Sequence, residues 1–359
     1  MGYYVQSVKN SFIFGFIIVG IMIWYFFGPV YKCKDVDRKS EWYVNDIYMS
    51  NQYYYENSLN DEQKGVYKQL FDSLNNMEEE IVINHPYNGY VDIVWDALIC
   101  DHPEMINITT FYYYNHGNSV TIKPIYLTTS KFGLNLKERK VRRKISKIKS
   151  KVSRKSDYEK EKYIYEYLGE SGAYGQTSKN SDQSAYSALF VTSNTVCAGY
   201  GKAAQILLAN CGINSWININ TNHLWNTVEL DGEYYYFDAT LSSLHVNANH
   251  TLKGISYRGL NQNVSTSSYE VINKPKVEIK GEKYNYYDYE GLSFTYSESI
   301  LPKLKQIIDE SEFNRIDIKF KNYEQAKKEI YKNRNYLGIE EVIEYSGYTV
   351  GSKVLTLEK

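Results

Sequence analysis

Three short stretches carry a thiol, an imidazole and a carboxylate in that order: Thr195-Val-Cys-Ala-Gly-Tyr-Gly201, His223-Leu-Trp-Asn226 and Asp238-Ala-Thr240. A thiol attacks carbonyl carbon well only as thiolate, and a neighbouring imidazole held by a carboxylate keeps it in that form. Cys197, His223 and Asp238 would therefore suit acyl transfer from an amide through a thioester, provided that the chain brings them together.

The local patterns predict elements that could do so. Cys197 is followed by Ala203, Ala204, Ile206, Leu207 and Leu208, helix formers spaced to give one apolar face. Asn194 and Thr195 are expected N-caps, and Gly212 is the expected C-terminal stop. Cys197 then lies in the first turn, where unpaired N–H groups and the helix dipole favour an anion. Cys211, at the far end among apolar residues, reads as a packed thiol. His223–Leu230 and Glu233–Ala239 are β-prone runs joined by Asp231-Gly232, the signature of a two-residue type I′ turn. That turn places Leu230 opposite Glu233 and Trp225 opposite Asp238, with His223 diagonal to Asp238 on the same face. Diagonal neighbours stand about 7 Å apart, within reach of an imidazole and a carboxylate. A slip of one residue would send them to opposite faces.

Taken together, Val196-Cys197-x-Gly199-Tyr200, Leu207-Leu208-x-x-x-Gly212-Ile213, His223-x-Trp225-Asn226-x-Val228-x-x-Asp231-Gly232 and Tyr235-x-x-Asp238-x-Thr240 resemble the transglutaminase-like superfamily, its bacterial, membrane-anchored members above all. The run Ser156-Asp-Tyr-Glu-Lys160 through Tyr167-Leu168 resembles the helix leading into that domain. The likeness is strong over about 155–245. It implies a papain-like α+β core, a Cys-bearing helix packed on an antiparallel sheet. It also implies Cys197 as nucleophile, His223 as general base and then acid, and Asp238 as the group that orients the imidazole. Leu224 and Leu241 depart from the family pattern, which commonly has a small residue after the His and an aromatic after Asp-x-Thr. Both departures are expected to reshape pocket walls. The Cys197 N–H is the natural first oxyanion donor. Gln183 or Tyr186, in Ser181-Asp-Gln-Ser-Ala-Tyr-Ser187, could supply the second or simply belong to a polar loop. These two residues, with Tyr200 and Trp225, are the assigned substrate-binding positions.

The rest of the chain surrounds this domain. Residues 11–27 are apolar and uncharged, and with Gly28–Val30 reach about 20 residues, enough to cross a bilayer core. Trp24 and Tyr25 suit its interface. Lys32, Lys34, Arg38 and Lys39 follow it, so charge counting places the body in the cytoplasm, whereas the family resemblance places it outside; the expectation follows the resemblance. Residues 1–41 are thus an anchor, 42–136 an α+β accessory module, 137–272 the transglutaminase-like domain and 273–359 a small α/β module. In the accessory module Asn60–Met77 reads as a capped helix. Ile81–Ile83, Phe111–Tyr114 and Val120–Tyr126 read as strands, and Asp101-His-Pro-Glu104 as a helix-to-turn connection. The basic run 137–155, with Val141, Ile145, Ile148 and Val152 at helical spacing, predicts an amphipathic helix. Its solvated basic face could contact an anionic wall polymer or membrane surface. Lys274–Lys283 reads as a linker, followed by helix Ile300–Ile308, strand Arg315–Phe320, helix Tyr323–Asn333 and terminal strands.

Hydrophobic content of 43% and a net charge of −1 over 359 residues allow ordinary cores and argue against a general nucleic-acid binder. The 38 tyrosines could build a stacking surface, but with so much Lys, Asn and Ile they read more simply as the codon bias of an AT-rich genome. The four cysteines define no disulfide framework. His85, His102, His116, His245 and His250 form no ligand pattern with the cysteines, so neither metal nor cofactor is expected. The expected protein is a membrane-anchored thiol enzyme acting on amide or peptide bonds of a protein or peptide, cell-wall peptide included. Hydrolysis is favoured over crosslinking, which needs a tunnel that admits lysine and excludes water. A non-catalytic envelope-binding scaffold is the alternative. An intact Cys/His/Asp set argues against it, since a scaffold needs none of the three.

Overall fold

Asn60 starts the first described α-helix, α1 (Asp61–Asn75), with a reciprocal cap: its side chain accepts from the Gln63 N–H at 2.9 Å and Gln63 accepts from the Asn60 N–H at 3.0 Å. The computed structural model describes residues 54–85, 90–176, 181–190, 194–220, 222–246, 252–262, 277–345 and 353–359. The apolar segment 11–27 lies outside these residues, among which no helix is long and apolar enough to cross a membrane. α1 buries Val66, Tyr67, Leu70, Phe71 and Leu74. They share a core with β1 (Ile81–Ile83), α2 (Tyr90–Asp101), β2 (Ile108–Asn115) and β3 (Val120–Tyr126). The three strands form an antiparallel sheet in the order β1-β3-β2. The connection at Asp101–Glu104 is as expected. His102 Nδ1 lies 2.7 Å from Glu104 Oε1, both are buried, and the ring packs 4.6 Å from that of Phe71.

The basic run forms α3 (Lys131–Val152), with Val141, Ile145, Ile148 and Val152 turned into the core. Next come α4 (Asp157–Glu170), capped by the Ser156–Glu159 box, α5 (Ala185–Leu189) and α6 (Cys197–Asn210). α6 is buried along nearly its whole length. It packs on an antiparallel sheet of β4 (Ser215–Ile219), β5 (Leu224–Leu230), β6 (Glu233–Phe237) and β7 (Leu260–Gln262), in that order. The α+β architecture expected from the sequence, a Cys-bearing helix on an antiparallel sheet, is therefore present.

Gly212 ends α6 at φ +82°, with Gly212 N–H to Ala209 O at 3.1 Å and Ile213 N–H to Leu208 O at 3.0 Å, a Schellman closure. The β5–β6 turn has Asp231 at φ +52° and Gly232 at φ +80°, as type I′ requires. Leu230 pairs with Glu233 and Asn226 with Phe237, the register that the turn predicts.

From residue 277 the expected linker lies on the sheet. The Gly281 N–H donates to Tyr234 O at 3.1 Å, and a Cβ on Gly281 would stand 2.3 Å from the Tyr235 ring. Tyr286 and Tyr287 of α7 (Tyr286–Tyr289) then enter the same core as α6, with Tyr286 stacked on Tyr257 at 4.0 Å. The described part of the expected linker, residues 277–283, is thus held against β6, and 274–276 lie outside the described residues. The C-terminal unit comprises β8 (Ser293–Phe294), α8 (Leu301–Glu310), β9 (Arg315–Phe320), α9 (Tyr323–Lys332), β10 (Glu341–Ile343) and β11 (Val354–Glu358). Its sheet runs β10-β11-β9-β8, parallel only between β8 and β9. The expected helices are displaced by one or two residues at their ends.

Gly232→Val would force a β-branched residue into the left-handed region, at a cost of about 1–3 kcal/mol. We expect a lower urea midpoint with an unchanged slope. A midpoint equal to the parent's would mean that the turn does not need φ > 0 at 232.

Candidate active site

Cys197 is the first residue of α6, half-buried, and Val196 before it makes no side-chain cap. Thr195, one of the two expected caps, is employed elsewhere. The Thr195 hydroxyl bonds the Asp182 carbonyl at 3.1 Å and the Ser187 hydroxyl at 2.7 Å, tying the 182–187 segment to the helix start. The N-cap position, Val196, therefore leaves the first N–H groups of α6 without a side-chain cap. Gly199 makes this contact possible: a Cβ there would stand 2.1 Å from Thr195 Oγ1 and 2.6 Å from the Asp182 carbonyl.

His223 immediately precedes β5 and Asp238 immediately follows β6. His223 Nε2 lies 2.7 Å from Asp238 Oδ2, the same-face pairing expected from the hairpin. The Cys197 thiol is near enough to help raise the His223 pKa. Trp225 stacks on the imidazole at 5.8 Å and 15°. The Asn220 side chain accepts from the His223 N–H at 2.8 Å. Asp238 is buried, and its other contacts are the Tyr236 hydroxyl at 2.9 Å, the Thr240 N–H at 2.9 Å and its own N–H to Gly259 O at 2.8 Å. Burial pulls the imidazole pKa down, but Asp238 and the Cys197 sulfur outweigh it and hold His223 well above its ordinary value. Burial raises the Asp238 carboxyl, and the facing imidazole with the Tyr236 and Thr240 donors more than offsets this, leaving it below the usual range. Both directions favour an imidazolium–carboxylate pair.

Residues 146–239 match the family model of the transglutaminase-like superfamily, a span holding Cys197, His223 and Asp238. This span is a transglutaminase-like domain. A search of curated proteins returns no match to the chain.

Within the transglutaminase-like domain the four expected substrate-binding residues are distributed unevenly. Trp225 supports the imidazole. Tyr200 is fully buried in the core, its hydroxyl donating to Gly172 O at 3.0 Å. Tyr186 packs on Phe190 at 4.6 Å and under Lys137 of α3 at 4.4 Å. Gln183 presents its carbonyl to the Lys202 ammonium at 3.0 Å. Leu224 fills the hollow over Gly201, where a Cβ would stand 2.1 Å from Leu224 Cδ2. Asn226 donates to Gly201 O at 3.1 Å and so clamps β5 to α6.

Two residues escaped the sequence reading. Tyr236 lies two positions before Asp238 on the same strand face, and the alternation of β6 was the available signal. Lys202 carried no signal: nothing local marks a lysine on α6 as buried. It is only 4% exposed, and burial lowers its pKa to about 8 against the opposing pull of Cys100, Cys197 and Asp96. Cys100 and Asp96 belong to α2, so the N-terminal unit shapes the surroundings of the thiol. Its core also takes in Leu224 and Ile217, with Cys197 and Ala198 packed against it.

Cys197 should be alkylated by iodoacetamide faster than Cys100 or Cys211, which are buried; burial also pushes the Cys100 thiol well up. Peptide-resolved mass spectrometry checks this, and an inert Cys197 would remove the nucleophile. Lys202→Met should slow Cys197 alkylation at pH 7 by about threefold to tenfold, because a buried cation beside the sulfur is lost. It should leave thermal stability nearly unchanged, because the cost of burying the charge is also lost. An unchanged alkylation rate would reduce Lys202 to a tether for the Gln183 carbonyl.

Proposed function

We propose that the protein is a cysteine-dependent enzyme that opens amide bonds of a protein or peptide through a thioester on Cys197. The observation that carries this reading is the His223–Asp238 pair, Nε2 to Oδ2 at 2.7 Å, whose imidazole also feels the Cys197 thiol at the start of α6. The sulfur attacks the carbonyl carbon while the Cys197 N–H, at the helix start, faces the developing oxyanion. The imidazolium of His223 gives its proton to the departing amine. The neutral ring then takes a proton from water, or from an acceptor amine, as that molecule attacks the thioester. Release of the acid or the new amide restores thiolate and imidazolium. Asp238 stays ionised throughout and orients the ring.

Hydrolysis is the favoured outcome, since nothing in the sequence marks a tunnel reserved for lysine. The packing of the Cys-bearing helix on an antiparallel sheet supports the same chemistry. Segment 11–27 would anchor the chain in a cell membrane with the body outside, facing peptides of the cell envelope. The basic face of α3, where Lys137, Lys144 and Lys151 lie over Tyr186, Tyr167 and Tyr163, suits an anionic polymer nearby.

Cys197→Ala should abolish acyl-enzyme formation from p-nitrophenyl acetate, and His223→Ala should cost nearly as much. Asp238→Asn should be about 10- to 100-fold milder, because the base remains present though poorly oriented. Turnover and thermal unfolding measured together decide the case. Full activity in Cys197→Ala, or loss explained by unfolding alone, would replace the enzyme with a non-catalytic envelope-binding scaffold.

A further inference from the structure

Asp317 stands on β9, in the C-terminal unit, far from Cys197 in sequence, yet its buried carboxylate meets His245, Ser256, Arg258 and Tyr287, all of which precede that unit's first strand. Its carboxylate accepts from the Ser256 hydroxyl at 2.7 Å, the Tyr287 hydroxyl at 3.3 Å and the Thr356 hydroxyl opposite it on β11. His245 Nε2 lies 3.4 Å away and Arg258 Nε 3.6 Å away. The Arg258 guanidinium continues to Val354 O at 2.7 Å and Thr356 Oγ1 at 3.1 Å. Tyr345 closes the group, 5.0 Å from the guanidinium and 6.4 Å from the His245 ring. Burial raises the Asp317 carboxyl, and His245 and Arg258 overcome this and hold it far below the usual range.

Two short paths lead from this cluster to Asp238. The first is the 3-10 helix Ala239–His245: Asp238 is its N-cap, and His245, its last residue, faces Asp317. The second is the segment 253–259. Arg258 is bound into the cluster, and the next residue, Gly259, accepts the Asp238 N–H at 2.8 Å. Neither path has slack. A Cβ on Gly259 would stand 2.2 Å from Asp238 O, and one on Gly254 would stand 2.4 Å from Arg315 O and 3.0 Å from His245 Nδ1. A 3-10 helix of seven residues and one peptide step are stiff connections, so a displacement of Asp317 is passed on to the carboxylate that meets His223.

We propose that Asp317 is a positioning residue of the Cys197–His223–Asp238 series, through which docking of the C-terminal unit fixes Asp238 against the imidazole. The role rests on the catalytic reading of those three residues. Asp317 touches neither substrate nor thiol. It acts through His245 and Arg258 on the two ends of the Asp238 backbone, and the C-terminal unit becomes a working part of the enzyme.

The test compares the full chain with Asp317→Asn and with Thr356→Val, a smaller perturbation of the same carboxylate. The two readouts are hydrolysis of p-nitrophenyl acetate and NMR titration of the His223 ring, assigned with His223→Gln. A loosened Asp238 stabilises the imidazolium less. The His223 midpoint should therefore fall by about one pH unit or more and turnover by about 10- to 100-fold, with the larger effects in Asp317→Asn. Lower thermal stability with the His223 midpoint unmoved would overturn the proposal, because a merely structural lock would act in that way. If Asp317→Asn does not fold, Thr356→Val decides on the same two measurements. If Cys197→Ala keeps full activity, the thiol reading fails, and the ring titration still shows whether Asp317 positions Asp238.

Discussion

A carboxylate taken out of water must be met by donors or it will not stay ionised, and the arrangement of this protein around Asp238 follows from that constraint. His223 supplies one N–H, the Tyr236 hydroxyl a second and the Thr240 N–H a third. Each comes from a different local structure: the residue entering β5, the inward face of β6 and the first turn of a 3-10 helix. The imidazole is held in its turn by Asp238 and by the Trp225 ring. The hairpin register, the 3-10 helix and the passage through Gly259 all have to be right for one carboxylate to be satisfied.

The helix start imposes the matching constraint on the thiol. α6 must approach both β5 and the 182–187 segment more closely than side chains allow. Gly199 and Gly201 provide the two points of approach, with Leu224 and Thr195 as the groups that enter. Thr195 could have capped the helix but is used as a tie between segments. That choice leaves the N–H groups beside Cys197 for an anion, and a side-chain cap would have competed with that use.

The parts of this that were legible in the sequence are those governed by short periods. Asp231-Gly232 determines a type I′ turn, and a strand period of two then determines which residues share a face. His223 and Asp238 therefore met where the pattern placed them. Gly212 and the apolar spacing of α6 likewise marked a helix with Cys197 at its start. The errors and omissions have the opposite origin. Thr195 has strong capping propensity, but tertiary partners claimed its hydroxyl. Tyr200 sits beside Cys197 in the sequence but turns into the core. Lys202 resembles any surface lysine until α2 covers it. Lys274–Lys283 has a linker's composition, but from residue 277 onward the Gly281 bond to Tyr234 O, the Tyr235 ring and the Lys283–Asp231 ion pair hold it against the β5–β6 hairpin.

The span that matches the superfamily ends one residue after Asp238, yet the thiol and the imidazole–carboxylate pair depend on residues beyond both of its ends. The N-terminal unit covers the start of α6 and brings Asp96 and Cys100 toward Lys202. Thr240 and Gly259 hold Asp238 from outside the span, and the cluster around Asp317 holds them. Burying Lys202, Asp238 and Asp317 costs free energy that apolar residues of the same volume would not. Lys202 interacts with Cys197, Asp238 meets the imidazole, and Asp317 lies against His245 and Arg258 on either side of the Asp238 backbone contacts, so the flanking units contribute to the surroundings of Cys197, His223 and Asp238.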